Sequence, residues 1–172
     1  MTNRPPSRLL EEIGWIAVRW ARLESIIELS CAYLFKAGLL VAKDGKPPKA
    51  FNVRISSLRR TLRHSSFVHI SEEFEAALDS IQELSRRRND LMHGAFTKWE
   101  GELQGSQTVI RTHDLGHLAV LDIEVSLDDL MRLSDQIGRA FARQFNLHDR
   151  LAAIVRAYQG KTDIGRRGMM DE

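Results

Sequence analysis

Apolar residues recur at steps of three and four through Ile13, Ile16, Trp20, Leu23, Ile27, Cys31 and Leu34. That spacing marks a first helix with one broad apolar face. Ser7, just after Pro5-Pro6, is placed to cap it. The helix is expected to end near Gly38 or to fray into Leu39-Leu40-Val41. Lys43-Asp44-Gly45-Lys46-Pro47-Pro48 has the turn chemistry of a loop. Ile55, Leu58 and Leu62 predict a second, shorter helix whose other faces carry Arg54, Arg59, Arg60 and Arg63. A third helix is predicted from Ser71, with Glu72 and Glu73 in a first turn where the helix dipole favours acids. Phe74, Leu78, Ile81, Arg88 and Met92 share one stripe on it, and Gly94 is a natural stop.

After Gly94 the period changes. Thr108-Val109-Ile110-Arg111-Thr112 is rich in branched residues, and Leu121-Asp122-Ile123-Glu124-Val125 alternates apolar and acidic. Asp114-Leu115-Gly116 between them reads as a turn, and residues 95–99 supply a candidate third strand. Ser126-Leu127-Asp128-Asp129 carries a helix-start signal. Apolar residues from Leu127 to Tyr158 then predict one helix, or two broken near Asn146. From Gly160 the chain is glycine-rich and charged, the composition of a mobile tail. The expected fold is mainly α: an up-and-down helical bundle with an antiparallel β-hairpin inserted before the last long helix. A single domain is expected over residues 7–159, with a flexible C-terminal tail over 160–172.

A length of 172 residues makes one domain the default, and 43% hydrophobic residues suffice for a core. The formal net charge of +2 does not by itself demand a nucleic-acid partner. Cys31 is the only cysteine, which excludes an internal disulfide. Its apolar surroundings suit a small buried hydrophobe rather than a nucleophile. The first residues are polar and proline-bearing, without the apolar core of a signal peptide. No stretch approaches the ~18 apolar residues of a membrane span. A cytoplasmic setting away from membranes is the expectation.

The candidate chemistry lies in Arg88-Asn89-Asp90-Leu91-Met92-His93-Gly94. It puts a permanent cation, an amide and a titratable imidazole at a helix end. An anion clamp beside a proton carrier is a minimal kit for breaking a phosphodiester without metal. Asn89 and His93 lie on one ridge, whereas Arg88 and His93 diverge by roughly 140° about the axis. They can converge through arginine's length, through the ending of the helix, or through a second copy across a two-fold axis. Arg88 also interrupts an apolar stripe, so its charge requires a partner or a ligand. Glu24, among Leu23, Ile26 and Ile27, is the best intrachain candidate. The alternative is a purely structural Arg88–Glu24 pair, with His93 satisfied at the helix C-terminus.

Arg88-Asn89, three further residues and His93, at the end of a helix in a small bundle, resemble the signature of the HEPN superfamily. That signature is Arg, four to six residues, then His, with a polar residue often following the Arg. The resemblance implies a helical bundle that dimerises with its two motifs facing each other. It implies an endoribonuclease that uses no metal, in toxin–antitoxin, phage-defence or RNA-processing systems. An antitoxin or a small nucleotidyltransferase is then an implied partner. By this resemblance His93 is the general base or acid, Arg88 stabilises the transition-state charge, and Asn89 orients phosphate or imidazole. Other members are non-catalytic, and the alternative is a HEPN-like helical module that binds RNA, a nucleotide or a partner protein.

From Gly45 to Ser71 there is no acid, while Lys46, Lys49, Arg54, Arg59, Arg60 and Arg63 all lie there. Such a stretch can track an RNA backbone with salt-sensitive affinity, or it can be a solvated helix face. Arg86 and Arg87 extend the charge toward the motif, although Arg86 can instead bond Asp90 along the helix. His113 and His117 are four apart, but Gly116 argues for a hairpin rather than a helical metal pair. No metal or cofactor is expected: there is no zinc spacing, no glycine-rich phosphate loop and no nucleophile elbow. His64 and His69 flank an interhelix loop without pattern. Trp15, Trp20 and Trp99 are expected in the core or on a dimer face.

Overall fold

The computed structural model describes residues 7–40, 45–93, 95–99, 107–114 and 118–167, with side chains over 7–40, 45–92 and 125–159. The chain is mainly helical, with helices α1 (Ser7–Lys36), α2 (Phe51–Leu62), α3 (Val68–His93) and α4 (Leu127–Arg167). Between α3 and α4 the backbone runs through β1 (Ala95–Trp99), β2 (Gln107–Asp114) and β3 (Leu118–Val125), antiparallel in the order β1-β2-β3. The chain divides into two compact units, Met1–Ala21 with Ser80–Arg139 and Arg22–Asp79 with Ala140–Glu172. All three boundaries between the units along the chain fall inside long helices, α1, α3 and α4.

In the first unit the start of α1 contributes Leu9, Ile16 and Trp20 to the core. The second half of α3 adds Ile81, Leu84 and Leu91, and the start of α4 adds Leu130, Leu133 and Ile137. Each set recurs at steps of three, four or seven residues, so each helix turns one face inward. Full burial of such a side chain stabilises by roughly 1.5–3 kcal/mol. A reciprocal cap begins α4. The Ser126 amide and hydroxyl both donate to Asp129 Oδ2, at 3.0 and 2.6 Å, and the Asp129 amide donates back to Ser126 Oγ at 3.1 Å. This is the capping-box exchange, with Asp in the place of Glu.

In the second unit the rest of α1 buries Leu23, Ile26, Ile27, Cys31 and Leu34. Helix α2 adds Ile55, Leu58 and Leu62, the three residues its spacing singles out. Phe74 and Leu78 of α3, with Leu147, Leu151 and Val155 of α4, complete the core. Helix α1 stops in a Schellman arrangement: the Leu39 amide donates to Leu34 O and the Gly38 amide to Phe35 O, both at 3.0 Å. Gly38 has φ +70°, a left-handed value that glycine adopts without steric cost.

Two helix ends differ from the sequence expectation. Helix α3 begins at Val68, not Ser71, behind a 3₁₀ turn over Ser65–Phe67. His64 Nδ1 accepts from the Ser66 amide at 3.3 Å, and buried Phe67 and Ile70 draw the chain into helix early. Glu72 and Glu73 therefore fall beyond the first turn, and Ser71 Oγ donates to Val68 O within it. Helix α4 is continuous through Asn146 and runs past Gly160 to Arg167, where a mobile tail was expected. A single glycine costs a helix only about 1 kcal/mol, too little to end one of this length.

Candidate functional site

Arg88 lies on the ridge of α3 between buried Leu84 and Leu91. The apolar stripe thus continues to Leu91, while Met92, which the spacing assigned to the stripe, is exposed. Arg88 is half-buried, and its guanidinium carbon stands over the indole of Trp20, 5.8 Å from the ring centroid. Trp20, on α1, is itself only 2% exposed. One guanidinium nitrogen, Nη1, donates to Asn89 Oδ1 at 2.9 Å. Arg88 Nε is buried with no hydrogen-bond partner among the described residues. Within this unit no described carboxylate lies in ion-pair range of Arg88. Arg88, Asn89 and Trp20 are therefore brought together.

The other motif positions are distributed as follows. His93 is the last residue of α3, and its side chain lies outside the described residues. Glu24 lies half-buried on α1 in the second unit, not in the unit that holds Arg88. Arg86 donates to Glu83 at 2.9 Å rather than to Asp90, an exposed pair of small energetic weight. Arg87 donates to Gln136 on α4 at 2.6 Å. Arg19, which the sequence did not single out, reaches Ser134 at 2.9 Å and Asp135 at 3.0 Å.

In the second unit the basic stretch splits in two. Arg54 pairs with Glu28 at 2.9 Å and donates to Pro48 O at 3.1 Å, which ties α2 to α1 and to the preceding loop. Arg59 pairs with Glu75 at 3.5 Å and with Asp79, tying α2 to α3. Arg60 and Arg63 are exposed, as are Lys46 and Lys49. Arg63 and His64 line a cleft together with Glu72 and Glu75, so acid and base share it.

A buried polar group in the second unit escaped sequence analysis. Ser30 Oγ donates to Ile26 O at 2.8 Å and lies 3.0 Å from His148 Nδ1. A hydroxyl has one proton, so the contact with His148 is donated by Nδ1–H. The His148 ring meets Tyr33 edge-on, with centroids 6.1 Å apart. Burial lowers the His148 pKa, and neighbouring Asp149 only partly opposes this. Gln144, one turn earlier on α4, is wholly buried, and neither amide atom has a hydrogen-bond partner among the described residues. A serine and a histidine 118 positions apart carry no local spacing signal. Cys31 behaves as expected: it is 1% exposed, its thiol donates to Arg54 O at 3.7 Å, and burial pushes its pKa up to about 12.

No group of three or more His, Cys, Asp or Glu side chains among the described residues could hold a metal ion. No helix among them is long and apolar enough to cross a membrane. His113 lies on β2, where its side chain is outside the described residues, as is all of His117. No family model, no curated protein and no solved structure matches this chain.

Proposed function

We propose that the chain is a HEPN-like endoribonuclease, active as a homodimer, that cleaves RNA through its 2′-hydroxyl. The observation that carries this reading is the state of Arg88. Its half-buried guanidinium keeps Nε unpartnered and has no described carboxylate in its unit to neutralise it. An unneutralised cation in a partly apolar setting is costly unless an anion occupies it, and arginine's planar fork suits phosphate oxygens. In this reading the antiparallel strands between α3 and α4 are the hairpin inserted into one helical domain.

The chemistry follows from the residue types. His93 takes the 2′-hydroxyl proton, and the 2′-oxygen forms a bond to phosphorus as the bond to the 5′-oxygen breaks. The leaving oxygen receives a proton, which gives a 2′,3′-cyclic phosphate and a 5′-hydroxyl. Arg88 stabilises the extra negative charge of the pentacoordinate state, and Asn89 orients the phosphate. A second copy brings the facing motif. Of the six arginines the sequence offers as RNA contacts, Arg60, Arg63, Arg86 and Arg87 are the proposed ones, while Arg54 and Arg59 are engaged by Glu28, Glu75 and Asp79. Arg60 and Arg63 are exposed, on α2 and just past its end. A cytoplasmic toxin–antitoxin or phage-defence role, with an antitoxin or nucleotidyltransferase partner, goes with this reading.

The test is cleavage of a defined RNA in excess EDTA. Wild type is expected to cut RNA and spare the all-deoxy strand. Arg88→Ala is expected to lower the rate by roughly 10²–10³, and His93→Ala by roughly 10²–10⁴. The second reading is a non-catalytic HEPN-like module. It is favoured by the Arg88–Asn89 donor array, which can hold an oxyanion without any imidazole. RNA bound in a salt-sensitive way but left intact would select it.

A further inference from the structure

We propose that Trp20 is the positioning residue of the Arg88 site, which makes that site an aromatic-backed receptor for a phosphoryl oxyanion. The inference rests on the reading that Arg88 receives phosphate oxygens. Trp20 is nearly inaccessible to solvent, yet its ring lies within cation–π reach of a half-buried guanidinium.

What backs an arginine decides what it can still do. A carboxylate takes the N–H edge of the guanidinium and cancels its charge. An indole face takes neither, because the donors of a guanidinium lie in its plane and the ring is approached by its flat side. Arg88 spends one Nη1 proton on Asn89 Oδ1. Nη2 and the second Nη1 proton remain for a ligand, with the full positive charge, while Nε is shielded from solvent and has no partner. Because Asn89 accepts from Arg88 through Oδ1, its amide NH2 is left as a further donor. Several donors, one positive charge and no acceptor describe an oxyanion with at least two oxygens, as in a phosphate ester. A lysine at position 88 has no planar fork and would lose this donor array.

The experiment uses the full chain, labelled with ¹⁵N, and inorganic phosphate as probe, followed by a short RNA. The ring current of Trp20 should move the Arg88 Nε–H proton upfield in wild type. That displacement should persist in Trp20→Phe, vanish in Trp20→Leu, and be assigned by its loss in Arg88→Lys. Phosphate should shift the same resonance, with affinity roughly tenfold weaker in Trp20→Leu and close to wild type in Trp20→Phe. Circular dichroism establishes that each variant keeps its helix content. Should Trp20→Leu fail to fold, Trp20 emission in a Trp15→Phe/Trp99→Phe background is read instead. It should respond to phosphate and cease to respond in Arg88→Lys.

An Arg88 resonance at the position of an exposed arginine in wild type overturns the proposal. So does Trp20→Leu binding phosphate as wild type does, or a Trp20 emission indifferent to phosphate. The ribonuclease reading fails separately: intact RNA alongside a Trp20-dependent phosphate response sinks the nuclease and keeps the receptor. Cleavage that needs Arg88 but not Trp20 does the reverse.

Discussion

Gln144 sits wholly inside α4's core face with neither amide atom bonded to another described residue. A buried amide left unpartnered costs roughly 1–3 kcal/mol. Gln144→Met keeps the length and removes the polar atoms, so it is expected to raise stability by about 1 kcal/mol or more. A higher urea midpoint checks this, and a lower one would show that the amide is bonded in solution. His148, one turn on, has its pKa lowered by burial. The unfolded chain therefore binds a proton that the folded one resists. Stability from this group is complete above the ordinary imidazole value near 6.5 and is lost as pH falls below it. The melting temperature of wild type should drop between pH 7 and 5 more steeply than that of His148→Gln. At the Arg88 site, interruption of an apolar stripe by a charge was visible in the sequence. The aromatic neighbour was not: nothing in the local spacing pairs Arg88 with Trp20, whose indole the structure sets against the guanidinium.

Helix ends show what local chemistry can specify. Ser126 and Asp129 were legible as a start signal because a cap is made within four residues. Ser126→Ala should cost about 1 kcal/mol, read as a lower urea midpoint. Hydrogen bonds from the Ser126 hydroxyl, then from its amide, hold the Asp129 pKa below its ordinary value, with Arg132 helping and burial opposing. A lowered carboxylate pKa stabilises above the unfolded value near 3.9 and ceases to do so as pH falls through the folded one. The penalty of Ser126→Ala should therefore shrink on acidification below pH 4. At the other kind of end, Gly38 holds φ +70°. Gly38→Ala should destabilise by roughly 1–2 kcal/mol although no atom crowds the added methyl. The start of α3 was misplaced by three residues because its drivers, Phe67 and Ile70, act through burial against other elements.

For the molecule as a whole, a net charge of +2 hides how the cations are used. Arg54 and Arg59 are committed to carboxylates, whereas Arg60 and Arg63 are exposed on the same short helix and its end. RNA binding followed against salt should separate them. Arg60→Ala and Arg63→Ala are each expected to lessen the slope of log affinity against log salt by about 0.7. Arg54→Ala and Arg59→Ala should leave that slope unchanged and instead lower stability by roughly 0.2–1 kcal/mol, read as a lower urea midpoint. Equal slopes for all four would remove α2 from the RNA surface.

The sequence by itself determined the helices, because a helix is a relation among residues three and four apart and those relations are written in order along the chain. It also determined which residue types are available for chemistry: Arg88, Asn89 and His93 at one helix end. Only the tertiary structure decided which element faces which. The indole under Arg88, the serine against His148 and the acids that occupy Arg54 and Arg59 come from helices tens of residues away. Their meeting depends on how each helix is rotated about its own axis, and that rotation is set by the packing of the whole core.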